Sequence, residues 1–487
     1  AKSAHRSKEV GIRKVIGAKR RQLIQQFFTD SLLTAFLSTC AAVMICILAL
    51  PFFSSLTGIQ FKFEALFQPF LIFLLLGLTV FVGISGGSYP SFLLSFLRPS
   101  QALKGTQVSQ AKGRALRKIL VLGQFSITIV LLIGAFIVVQ QIKFMKNRPL
   151  GFDKEQKLII PAQLGGNYEL IKAEFLNNPS ITEVAACWSI PGRTTNRITA
   201  KLMGQPDDMA QSMDFLYIDS DFIPAYKMKI SAGRSFEREM KTDIKDTFII
   251  NNTASQAFGF ASPDEAVGQR MYEGGSGNVG TIIGVIEDFH FKGLQTVVEP
   301  LIFQFNPNYF VRLSLTLNTD NIPNTLSFIE DKWNELRLGK VFSYFFLDED
   351  FNRQYAAEEF VSRVATVFTF IALFISCLGL VGLSSFTAEQ KTKEIGIRKV
   401  LGATVPGLFV FFTKEFTRWV LFANIIAWPI AYIITSQWLK SFAYRTNIDF
   451  SIFIFSGFLT LVLAVLTVSF QSIRVALTNP ADSLRHE

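Results

Sequence analysis

Apolar residues are bunched along this chain. Six stretches without a charged residue cover roughly 31–53, 65–97, 119–142, 364–388, 419–439 and 450–473. Each is about 20 residues or longer, enough for a helix to cross a ~30 Å hydrocarbon layer. A buried helix of a soluble protein rarely runs that far without a charge, and six such runs together predict six membrane spans. Between the third and fourth runs the pattern changes to short apolar segments separated by turn-forming residues. Residues 158–161, 181–188, 215–219, 247–251, 280–286, 301–305 and 311–317 read as strands, and 168–176, 253–258 and 325–336 as helices. The predicted fold class is an α-helical polytopic membrane protein with a large α+β domain, at 143–363, in two subdomains.

Composition agrees with two kinds of territory: 49% of residues are hydrophobic and mean hydropathy is +0.34, yet 18% are charged. Residues 143–363 contain 23 Lys/Arg and 29 Asp/Glu, so the net charge of +10 belongs to the membrane part. Of the 25 basic residues there, 22 fall in 1–30, 98–118, 389–418 and 474–487, and only Lys62, Lys440 and Arg445 fall in the two short loops on the other side. The excess of Lys and Arg on one side predicts that both ends of this chain are cytoplasmic and that 143–363 lies outside. It also accounts for the basicity without nucleic acid as a partner. Cys187 stands alone in the outer domain, while Cys40, Cys46 and Cys377 lie in spans. With His5, His290 and His486 scattered, neither a disulfide framework nor a metal site is expected.

The chain repeats itself. KEVGIRKVIGA at 8–18 returns as KEIGIRKVLGA at 393–403, and each copy precedes a span, a short loop and another span. Each unit ends on a similar phrase, RPSQALK at 98–104 and NPADSLR at 479–485. The second unit has a span and a domain before its phrase, whereas the first begins at the phrase. The expectation is that the chain is the C-terminal part of a longer protein with eight spans and two outer domains. Wound as a helix, the second phrase gathers Ile397, Val400 and Leu401 on one side with Arg398 and Lys399 elsewhere, and the first does the same with Ile12, Val15 and Ile16 against Arg13 and Lys14. A short interfacial helix at 391–403 is predicted, with Gly396 and Gly402 weakening it or marking its end.

The phrase after a span resembles the FtsX-like permease domain of MacB-type and lipoprotein-release ABC transporters. In the outer domain LGFD at 150–153, IPGR at 190–193, GRSF at 233–236, VGQ at 267–269, IGVIEDFH at 283–290 and EP at 299–300 resemble the MacB-like periplasmic core. Tyr89-Pro90 also fits. The resemblance implies a bacterial inner-membrane permease of tandem type. Residues 1–118 would be the C-terminal part of a first FtsX-like unit, 119–142 a span, 143–363 the periplasmic core and 364–487 the second unit. It further implies that Glu9, Gly11, Arg13, Lys14 and Gly17, with Glu394, Gly396, Arg398, Lys399 and Gly402, couple the permease to separate cytoplasmic ABC ATPase subunits, one beneath each half. A periplasmic adaptor and membrane lipids are the other partners it allows.

No Walker A pattern and no G-x-S-x-G occur in the chain. The Gly-rich stretch at 273–278 lacks the Lys-Ser/Thr of a phosphate loop and reads as a hairpin turn. Glu287, Asp288 and His290 are the nearest approach to an acid/base cluster, but they follow an apolar strand and read as structural. Catalytic, cofactor and metal sites are therefore all expected to be none. Transmission of ATP-driven motion to the outer domain, for export or extraction of a substrate, is the function implied. A regulator of periplasmic cell-wall hydrolases and a membrane-anchored ligand sensor stay open beside it.

Overall fold

The computed structural model describes the backbone of residues 16–17, 19–58, 64, 67–96, 107–162, 164, 168–240, 242–275, 277–336, 341–401 and 403–477. Three long helices come first: α1 (Arg20–Thr57), α2 (Pro69–Phe96) and α3 (Gln107–Asn147). Strand β1 (Lys157–Pro161) opens the outer domain. It is followed by α4 (Tyr168–Leu176), β2 (Ile181–Cys187), β3 (Asn196–Leu202), β4 (Gln211–Tyr217), α5 (Phe222–Ala225), β5 (Ile230–Gly233), β6 (Thr247–Asn251), α6 (Asn252–Ala257), α7 (Pro263–Ala266), β7 (Arg270–Glu273), β8 (Val279–Ile286), β9 (Leu301–Gln304), β10 (Arg312–Leu317), α8 (Ile322–Glu335), β11 (Phe345–Phe346) and α9 (Leu347–Arg353). Three more long helices finish the described chain: α10 (Ala356–Val400), α11 (Val405–Leu439) and α12 (Phe450–Leu477).

Among the described residues six helices are long and apolar enough to cross a membrane, and each contains one of the six uncharged runs or most of it. The protein is an α-helical multi-pass membrane protein with a large α+β domain. Two compact units form: residues 139–359 with 436–447, and the remainder.

The outer unit has two sheets over one continuous apolar core. The smaller is antiparallel, in the order β11-β1-β10-β2. In the larger, the order is β5-β8-β6-β9-β4-β3-β7, and β7 pairs again with the first half of β8, so six strands close into a ring. β5 continues along the same edge of β8 where β7 leaves it. Closure removes the open edges that would otherwise invite pairing with other chains. The seven expected strands are all present. β3, β5, β7 and β11 were not expected, since NRITAKL and RMYE alternate weakly and ISAG and the two-residue β11 are too short to carry a period. The Gly-rich stretch does turn a hairpin: Glu273 N–H donates to Asn278 O and Gly277 N–H to Glu273 O.

In the membrane unit α3 is the centre of the second group of helices. Its Thr128 hydroxyl meets Ser376 of α10 at 2.8 Å, and Thr369 of α10 donates to Leu131 O at 3.2 Å. The Gln124 amide lies close against Gly379, where a larger residue would have to push it aside. Towards α11, Ser126 donates to Ala423 O and Lys118 pairs with Glu415 at 2.8 Å. Phe136 meets Phe455 of α12 edge to face. Small and hydroxyl residues are the usual adhesive between membrane helices, because lipid tails leave no hydrophobic drive for helices to associate. In the first group, α1 and α2 pack through Thr39 and Thr79 at 2.8 Å, with Gly83 against Leu32 and Gly87 against Ser31.

Candidate coupling site and its outer anchor

The second phrase does not form a separate interfacial helix. α10 runs without a break from Ala356 to Val400, through the span and the phrase. The stretch before Gly396 is rich in Ala, Glu, Gln and Lys, and one Gly, worth about 1 kcal/mol against Ala, does not interrupt so favourable a run. The end falls close to where Gly402 predicts it: Leu401 N–H donates to Ile397 O and Ala403 N–H to Arg398 O, a six-to-one closure.

Arg398 is exposed near this end. Glu394, Gly396 and Lys399 are on the same helix, their side chains outside the described residues, as is Gly402. Of the first phrase, Glu9, Gly11, Arg13 and Lys14 lie outside the described residues. Gly17 is described, with φ +101° just before α1. That left-handed backbone suits glycine and falls at the repeat equivalent of Gly402.

At the other end of α10 a clasp joins three segments of the outer unit. Its parts are the last turns of α3, the first turn of α10 and the short loop between α11 and α12. Lys146 of α3 is ion-paired with Glu359 of α10. The buried side-chain amide of Gln141 grips the loop twice, its Nε2 donating to Tyr444 O and its Oε1 accepting from Thr446 N–H, both at 2.8 Å. The Tyr444 ring lies between Arg148, 4.3 Å from its centroid, and His290, edge to face at 4.7 Å. Ala443 N–H donates to Gln295 O. Gln295 in turn reaches Gln354 O and the Glu358 carboxylate of α10, and Gln354 donates to Gly192 O.

The residues weighed for acid/base chemistry have structural partners. Asp288 accepts from the backbone and hydroxyl of Thr253, capping α6, and Glu287 is exposed. His290 packs on Tyr444, and burial together with the charge of Arg148 holds its imidazole below the usual range. Among the described residues no group of His, Cys, Asp and Glu could hold a metal ion. The GRSF stretch of the core has structural partners as well. Gly233 has φ +73° with its Cα pressed on the β8 backbone, and Arg234 clamps the fully buried Asp243 through two bonds of 2.6 and 2.8 Å. Sequence reading missed the Tyr444 loop, which it treated only as a connection. The one available signal was the aromatic-basic pair Tyr444-Arg445 in a loop otherwise poor in charge.

The family described as FtsX-like permease C-terminal matches this chain twice, over residues 3–99 and 366–480. The two matches contain the two phrases and both helix pairs that follow them. Over these two segments the chain is similar to the FtsX-like permease family. The chain is also 33% identical over 99 residues to a macrolide export ATP-binding/permease protein MacB of Bdellovibrio bacteriovorus. The match takes in 20% of the present chain and 15% of that relative's length. Among solved structures, the periplasmic region of MacB from Actinobacillus actinomycetemcomitans aligns at 11% identity over 41% of this chain and 92% of that one, with a TM-score of 0.30. The extracellular domain of the noncanonic ABC-type transporter YknZ from Gram-positive bacteria aligns at 15% identity over 39% and 99%, with a TM-score of 0.29.

Proposed function

We propose that this chain is the membrane subunit of an ABC transporter. It takes up the motion of separate cytoplasmic ATPase subunits, one beneath each half, and passes it to a periplasmic domain that exports or extracts a substrate. The observation that carries this reading is helix α10. It is a single rod of 45 residues, about 68 Å at 1.5 Å per residue. Glu358 and Glu359 of the outer clasp stand in its first turn and Arg398 of the repeated phrase in its last. Its interior carries no proline, the commonest cause of a sharp kink. The uncharged interiors of the spans offer no polar path for cargo through the bilayer centre. The phrases at 8–18 and 393–403 are then the contacts with the ATPases, on the cytoplasmic side with both ends of this chain.

The test is ATP hydrolysis by the full-length protein reconstituted with the ATPase that accompanies it in native membranes. Arg13→Glu with Arg398→Glu should lower the stimulated rate at least tenfold and leave membrane insertion unchanged. Undiminished stimulation in that double variant would remove the phrases from the coupling contact.

A further inference from the structure

The charge-free run of α3 ends at Ile142, so Lys143 is its first charge on the side of the outer domain. Gln140, Lys143, Phe144 and Asn147 recur at helical spacing on one face of α3. With Arg148 and Thr446 they line an open groove of about 640 Å³, a volume typical of small-ligand sites. Arg148 is half-buried, and its guanidinium lies 4.3 Å from the Tyr444 ring centroid and 5.6 Å from that of Phe144. Two rings thus hold the group in place while leaving its N–H fork without an oxygen to donate to. Among the described residues no carboxylate meets the Arg148 guanidinium or the Lys143 ammonium, whereas the neighbouring Lys146 is paired with Glu359. The Gln140 Oε1 is also buried without a partner. A partly buried cation with no counter-charge is unfavourable, and an anion in the groove would relieve it.

We propose that this groove seats the phosphodiester of a membrane phospholipid, held by the Arg148 fork and the Lys143 ammonium. Position favours a lipid over a free anion. Lys143 directly follows an apolar run long enough to cross the bilayer, which sets it at the level of the headgroups. Val139, one turn into the run, is exposed for the acyl chains. The bound lipid also fastens the clasp, because Thr446 lines the groove while its N–H is held by Gln141, and Tyr444 lies beneath Arg148.

Amide exchange of the delipidated full-length protein in a maltoside detergent tests this. Titration with dioctanoylphosphatidylglycerol should slow exchange at 443–447 saturably. Lys143→Gln, a change at an exposed position, and Arg148→Gln should each raise the half-saturating concentration about tenfold, the worth of one charge-assisted bond. Lys440→Gln combined with Arg445→Gln removes two exposed cations that do not line the groove, and should leave that concentration unchanged. Dioctanoylglycerol has the chains without the phosphate, and inorganic phosphate the charge without the chains. Neither should protect at the same concentrations. Equal protection by inorganic phosphate would overturn the lipid in favour of a free anion. Protection by dioctanoylglycerol, an equal loss in the Lys440 and Arg445 variant, or no protection at all would overturn the site. The readout involves no ATP hydrolysis, so it stands or falls separately from the coupling role.

Discussion

The first and second helix pairs share a phrase, a starting point and a family, yet they are held differently. α11 and α12 are fastened at three places: α3 lies along one face, Asn424 rests against Gly457, and the loop between them is clasped to the outer domain through Tyr444. α1 and α2 are fastened mainly to each other, through Thr39–Thr79 and two close glycines. The comparison teaches that the duplicated module does not itself define a rigid body. What holds the second copy among the described residues is α3, which precedes it in the chain.

The sharpest way to break this comparison is to overfill the two matched positions. Ala423→Trp forces a large ring between α11 and α3, where the site is fully buried. Overpacking of this kind costs about 1–3 kcal/mol or more, so the 487-residue chain should lose most of its folded population on detergent titration. Ser38→Trp in the same chain should stay within about 0.5 kcal/mol, as exposed substitutions do. Equal losses would mean that the two faces are covered alike.

A smaller effect isolates the clasp. Gln141→Leu removes both bonds to the loop and leaves Tyr444 O and Thr446 N–H without their buried partner. Unpaired groups of this sort cost about 1–3 kcal/mol. The loss should appear as faster amide exchange confined to 436–447 and the adjoining turns of α3, with the sheets unchanged. Exchange that rises throughout the outer domain would instead make Gln141 part of its global stability.

These contacts also mark where the sequence could be read and where it could not. Six spans follow from charge-free length alone, and β6 and α4 are placed to the residue because TFIIN is uniformly buried and YELIKAEFL buries Tyr168, Ile171, Lys172 and Phe175 at helical spacing. The phrase was expected as a short interfacial helix at 391–403, whereas the helix runs on from the span as far as Val400. The clasp was invisible for another reason. Gln141 and Tyr444 are 303 residues apart, and neither lies in a local pattern that announces its partner. The closing pair of β7 with β8 depends likewise on ring geometry that no single segment carries.

The smallest effect asks whether the hydroxyl contacts within the two groups are worth the same. Thr39→Val deletes one interhelical contact of 2.8 Å, to Thr79, and Thr128→Val one of the same length, to Ser376, with a longer one of 3.4 Å to Ala372 O. In both cases the threonine hydroxyl also bonds back to its own helix, Thr39 to Ala35 O and Thr128 to Gln124 O, so the partner helix supplies only part of its satisfaction. Interhelical hydrogen bonds in membranes average about 0.6 kcal/mol. Both substitutions should therefore cost about that much, and equally, when unfolding is followed in mixed micelles. A Thr39→Val cost several times larger than that of Thr128→Val would show that α1 and α2 depend on this contact far more than the second group does on its own.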